Sequence, residues 1–187
     1  MDVRSDPRSL VLIGLMGAGK STVGRRLAAA LSLPFSDADT EIEKAAGMPV
    51  SELFARYGEP AFRDGERKVI RRLLEGPRQV IATGGGAFMN AETRGLIKQV
   101  ALSIWLKADL DLLMKRVARR NTRPLLDVPD PRAVMARLME ERYPVYAEAD
   151  LTVMSDRGPH EQVVDRILTA LRGFDGSARG RPPGDAA

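Results

Sequence analysis

The chain has 187 residues, 44% of them hydrophobic and 29% charged, which is enough for one domain with a proper core. Its net charge of +4 is dispersed among acids, and only 5% of residues are aromatic, so small anionic ligands are favoured over a nucleic-acid partner. There is no cysteine for a disulfide or thiolate metal site, no apolar run near the ~20 residues of a membrane span, and no apolar core in the opening "MDVRSDPRS", so a cytoplasmic protein without a membrane partner is expected.

Residues 1–9 read as a flexible arm. Leu10 to Leu15 then form a short apolar run suited to a buried parallel strand. Val23, Leu27, Ala30 and Leu31 recur at helical spacing, predicting a helix over 20–32. Between the two lies "GLMGAGKST", in which Gly14, Gly19, Lys20 and Ser21 fill the pattern G-x-x-x-x-G-K-[ST]. Glycines let successive N–H groups curl around one anion, and the helix N-terminus adds its positive end. Lys20 is expected to reach the β- and γ-phosphates, and the Ser21 hydroxyl to ligate Mg²⁺. The bland alternative is a glycine-rich turn before a helix, but the complete pattern in strand–loop–helix context points to a nucleoside triphosphate site.

Further strands are predicted at 34–37, 79–83, 101–106 and 150–154. Helices are predicted at 39–46, 50–57, 60–75, 91–98, 109–119, 131–141 and 159–172. This alternation implies an α/β fold, a five-stranded parallel sheet with helices on both faces. Ligands in such sheets sit outside the carboxyl ends of the strands. The second strand ends in "FSDAD", whose Asp37 and Asp39 would leave one face of an extended segment, although Asp39 could simply cap the next helix. The third ends in "TGGG", Thr83 to Gly86, allowing close backbone approach to a ligand or merely a tight turn. Arg63 lies beside the apolar face of its helix, one turn before Glu66, where a surface ion pair is the plain reading. "NTRPLLDVPDP" is a proline-punctuated loop whose Arg123 reads as a lid cation over transferring phosphate. Arg142 sits near a helix end, before Pro144, and His160 at a helix start, where it reads as structural or solvated. From Gly173 onward the composition is that of a disordered tail.

Taken in order, "GLMGAGKST", "FSDAD", "FRDGE", "ATGGG", "RPLL" and "ERYPVY" closely resemble shikimate kinase, a nucleoside-monophosphate-kinase-like P-loop family of aromatic amino acid biosynthesis. The resemblance covers about residues 10–172, read as one kinase domain. It implies a helical substrate-binding segment over about 38–66 and a lid over about 120–131, leaving 173–187 as tail. It implies that Gly17, Ala18, Gly19, Lys20, Ser21 and Thr22 hold the ATP phosphates, with Mg²⁺ on Ser21 and, through water, on Asp37. It further implies that Asp39 binds the shikimate hydroxyls and that Arg63 and Arg142, helped by the Gly85 backbone, clamp the carboxylate. Arg123 would act on ATP, making Lys20, Asp39 and Arg123 the catalytic set. The family's adenine-contacting position falls in "SDRGPHE", at Arg157, Gly158 or Pro159, and Arg116 or Arg119 is expected to flank adenine. Ala38 replaces the family's hydroxyl residue between the two aspartates.

The expected reaction is ATP-dependent phosphorylation of the shikimate 3-hydroxyl by a monomer that binds no nucleic acid. The enzyme rival is a gluconate-type kinase of the same layout, whose substrate also carries a carboxylate. The rival of another class, a nucleotide-gated nucleic-acid-binding protein, needs a basic stripe with stacking aromatics, a pattern absent from this sequence.

Overall fold

A computed structural model of the chain describes residues 6–118 and 128–174. Five strands, β1 (Ser9–Ile13), β2 (Phe35–Asp37), β3 (Val80–Ala82), β4 (Ala101–Lys107) and β5 (Leu151–Met154), form one sheet. Their order is β2-β3-β1-β4-β5 and every pairing is parallel. β1 is central: Leu12 pairs with Ala82 on one side and Ile104 on the other. All five of its residues are buried, as expected of a strand covered on both faces.

The helices are α1 (Lys20–Leu31), α2 (Ala38–Ala46), α3 (Val50–Glu75), α4 (Ala91–Val100), α5 (Leu110–Ala118), α6 (Pro131–Tyr146) and α7 (His160–Gly173). Several starts carry a side-chain cap. The Asn90 side chain accepts from Thr93 N at α4, and Asp109 accepts from Leu112 N at 2.7 Å at α5. Asp130 caps α6, with Pro131 in the first turn, where its missing N–H costs nothing. No helix among the described residues is long and apolar enough to cross a membrane.

Two expected helices over 50–57 and 60–75 are present as α3, kinked at Gly58 (φ 76°, ψ 172°) just before Pro60. The predicted end of the helix at 141 is too early. α6 runs through Pro144 because its last turn is held by packing: Tyr146 is fully buried, and Tyr143 meets the Trp105 ring edge-on at 4.8 Å. The Tyr143 hydroxyl donates to the Ala108 carbonyl at 2.5 Å, and burial pushes its pKa up to about 12.

Of the flexible arm expected over 1–9, the described residues 6–9 are held in place. Asp6 is buried and accepts from Arg8 N and its guanidinium, Arg78 Nε donates to the Arg8 carbonyl, and Ser9 opens β1. Ser9 escaped the apolar-run criterion because its hydroxyl works as an acceptor for Gln79 N, at 3.2 Å. Most of the lid expected over 120–131, with Arg123, and the tail beyond Phe174 lie outside the described residues.

Candidate active site

The carboxyl ends of β1, β2 and β3 open into one cleft of about 310 Å³. Its floor is the loop from β1 to α1. Gly19 has φ 94°, a left-handed conformation that costs glycine little, and it hands the chain straight into α1. Lys20 folds back over this loop, its Nζ donating to the carbonyls of Gly14 (2.8 Å) and Leu15 (3.0 Å). Gly17, Gly19, Lys20, Ser21 and Thr22 all line the cleft, while Ala18 is buried beneath it.

One wall is the β2–α2 junction. Ser21 Oγ donates to Asp37 Oδ2 at 2.5 Å, and Asp37 Oδ1 accepts from Asp39 N at 3.1 Å. The helix cap is therefore Asp37, not Asp39 as the sequence allowed, and α2 begins at Ala38, one residue before the expected start at 39. Asp39 thus lies in a first helical turn rather than an extended segment, so the same-face argument does not hold. Both carboxylates still line the cleft, because the cap bends the chain back toward it.

The adjoining wall is the glycine run after β3. A Cβ on Gly84 would sit 2.9 Å from both Asp39 Oδ1 and Glu66 Oε1. One on Gly85 would sit 3.3 Å from Arg142 Nη1, and one on Gly86 only 2.6 Å from both terminal nitrogens of Arg63. Each glycine thus makes room for a charged side chain. Two carboxylates and two guanidiniums converge on three consecutive residues.

Glu66 is the residue the sequence reading undervalued. Its pair with Arg63 (2.8 Å) is not on the surface, since the Glu66 side chain is only 4% exposed. Burial pushes its carboxyl above the usual range, against the opposing pull of Arg63. Its Oε1 is buried with no hydrogen-bond partner among the described residues. The signal was present: Glu66 occupies a position on the stripe Phe62, Glu66, Val69, Ile70, Leu73, where an apolar residue belongs. Burial works against the charge of Arg63 as well, but Glu66 and Glu59 outweigh it and hold the guanidinium above its ordinary range. Tyr146 was also missed. Its hydroxyl donates to the Gly85 carbonyl and fixes the glycine run against α6; burial raises its pKa and Arg142 opposes the rise.

Arg116 fills the fourth side. Its Nη1 donates to Ser155 Oγ (2.9 Å) and, at 3.3 Å, to the carbonyls of Gly17 and Ala18; its Nη2 donates to the Asp156 carbonyl at 2.7 Å. Ser155 Oγ in turn donates to the Ala18 carbonyl. The phosphate loop is thereby tied to the loop before α7. His160, read from sequence as structural or solvated, lines the same cleft.

A strand–loop–helix cradle in a parallel α/β sheet, facing a cluster of arginines and carboxylates, defines a P-loop kinase acting on a small molecule. The family model described as Shikimate kinase matches residues 16–172, and the chain belongs to that family. It is 59% identical over 167 residues to a shikimate kinase of Rhodopseudomonas palustris, covering 89% of this chain and 82% of that one. It is 56% identical over 181 residues to the Bradyrhizobium diazoefficiens shikimate kinase, covering 96% and 87%. Among solved structures it resembles Acinetobacter baumannii shikimate kinase in complex with shikimate, with a TM-score of 0.86 and 36% identity over 90% of this chain and 94% of that one.

Proposed function

We propose that this chain transfers the γ-phosphoryl group of ATP to the 3-hydroxyl of shikimate, giving shikimate 3-phosphate and ADP. The observation that carries the assignment of roles is the glycine run, which gathers Asp39, Arg142 and Arg63 beside the phosphate loop. Asp39 accepts the proton of the attacking hydroxyl. The hydroxyl oxygen bonds to the γ-phosphorus as the bond to the β-bridging oxygen breaks, and ADP leaves with that electron pair. Arg63 and Arg142 hold the substrate carboxylate at the far end, with the Gly85 backbone. Glu66 keeps the Arg63 guanidinium aimed. Lys20 leaves the loop carbonyls for the β- and γ-phosphates. Arg123, on the lid, neutralises charge on the transferring group.

Ser21 and Asp37 fit Mg²⁺: they are hard oxygen donors held 2.5 Å apart at the mouth of the phosphate loop. Mg²⁺ takes few protein ligands and otherwise binds phosphate and water. Ser21 would hold it directly and Asp37 through water, and the bound ion supplies charge neutralisation on the β- and γ-phosphates. In this reading the chain works as a cytoplasmic monomer whose partners are ATP and shikimate. ADP release with Mg-ATP and shikimate, quinate or gluconate tests it: turnover with shikimate is expected, and turnover with gluconate alone would overturn the substrate assignment.

Arg63→Lys and Arg142→Lys are each expected to raise KM for shikimate about tenfold or more, because an ammonium cannot reproduce the two parallel bonds of a guanidinium to a carboxylate. KM for ATP should barely move. Equal weakening toward both substrates would place these arginines on the phosphates instead.

Gly86→Ala should give a milder version of the same defect. The new methyl would lie 2.6 Å from the Arg63 nitrogens, so the guanidinium must leave its place beside Glu66. The far end of an arginine can move, so the fold is expected to survive. A rise of roughly three- to tenfold in KM for shikimate, corresponding to about 0.7–1.4 kcal/mol, is expected in initial-rate kinetics.

A further inference from the structure

The chain contains a single histidine. His160 is the first residue of α7, half-buried, and lines the phosphate-loop end of the cleft. A Cβ on Gly19 would lie 3.5 Å from His160 Cε1, 3.7 Å from its Nδ1 and 3.6 Å from Arg116 Nη1. The imidazole and the guanidinium therefore converge on the same point of the loop that receives phosphate. We propose that His160 contacts the bound nucleotide and couples its affinity to pH, so that ATP and ADP bind more tightly with the imidazole protonated. This rests on the reading of the cleft as a nucleotide site.

The sign follows from the surrounding charge. On the side of the phosphate loop the imidazole lies beside Gly19, which caps the positive end of α1, and Lys20 lines the same cleft. From α5 it faces Arg116. From the segment before α7 comes Asp156, whose carboxylate is bound by Arg166 at 2.6 Å. On its own helix Glu161 is paired with Arg26 of α1 at 2.8 Å. His160 also sits at the N-terminus of α7, where the helix dipole opposes a positive charge. A bound di- or triphosphate brings several negative charges to Gly19, beside the imidazole, and so favours its protonated form. Imidazole is the side chain that ordinarily changes charge between pH 5 and 8. Binding and protonation then favour each other reciprocally, so affinity falls as pH rises through the imidazole range.

A single histidine makes the test direct. In the full chain prepared without a polyhistidine tag, the imidazole C–H resonances belong to one residue and can be titrated by NMR, free and saturated with MgADP. We expect the resonance to move on saturation and its titration midpoint to rise by about half a unit to one unit, equivalent to a three- to tenfold change in affinity. Calorimetry should show His160→Gln flattening the pH dependence of MgADP affinity relative to the wild type, which also controls for titration of the nucleotide itself. KM for shikimate should keep its wild-type profile. MgADP binding with an unchanged imidazole midpoint overturns the histidine proposal alone. Failure of MgADP to bind at any pH overturns the nucleotide reading and this inference with it.

Discussion

Lys20→Ala is expected to lower kcat by about 10²- to 10³-fold, the size of effect seen when one preorganised donor to developing charge is removed. The fold should hardly notice. Lys20 donates to the Gly14 and Leu15 carbonyls, and losing those bonds costs stability. Yet the lysine is also the first residue of α1, a cation at the positive end of a helix dipole, and removing it relieves that repulsion. The two effects oppose each other, so the net change should stay within about 1 kcal/mol, or roughly 2–4 °C in Tm for a chain of this size. The useful comparison is a thermal melt beside shikimate-dependent ADP release. Near wild-type turnover would mean that Lys20 serves only to close the loop on itself. Lost turnover with a collapsed Tm would mean that its bonds to the loop carbonyls are chiefly structural.

Much of this architecture is legible in the sequence because the signals are local. A buried central strand announces itself as an apolar run, and the phosphate loop as glycines at fixed spacing before a helix. Strand order is another matter, since it depends on which face each crossover packs against. The errors are equally local in origin. Pro144 suggested a helix end, and only the aromatic contacts of Tyr143 and Tyr146 with Trp105 explain why α6 continues. Asp37 and Asp39 were paired by strand geometry, whereas a cap and a helical turn bring them to the cleft.

The site itself was half legible. Arg63, Arg142 and the glycine run could be picked out one by one, but their convergence needs three separate elements to meet. Gly84, Gly85 and Gly86 looked like room for a ligand; they are in the first place room for Glu66, Asp39, Arg142 and Arg63. Glu66 was hidden by chemistry: a glutamate three residues after an arginine on a helix normally marks a solvated pair. Its burial shows only once α3 lies against the glycine run. His160 and Ser155 lie more than 130 residues beyond the loop they approach, a separation no short pattern spans.

Asp39→Asn separates three roles that one carboxylate could have. As the group that orients the acceptor hydroxyl and takes its proton, Asp39 cannot be replaced by an amide of the same shape, and loss of a positioned base costs about 10²- to 10⁴-fold in rate. As a helix cap it could be replaced freely, since asparagine caps as well as aspartate, but that role belongs to Asp37. As a metal ligand its loss would be recovered by raising Mg²⁺. The expected result is a rate loss of about a hundredfold or more with poor rescue by Mg²⁺. Stability should be unchanged or slightly higher. The Asp39 carboxylate adds to the upward pressure that burial exerts on the Glu66 carboxyl, and an amide relieves it. A slower but no less stable enzyme is what a charge kept for chemistry, against the interest of the fold, predicts. A fully active Asp39→Asn protein would instead hand the proton to Asp37 or to solvent. A slow protein with a lowered Tm would make Asp39 a structural partner of the glycine run.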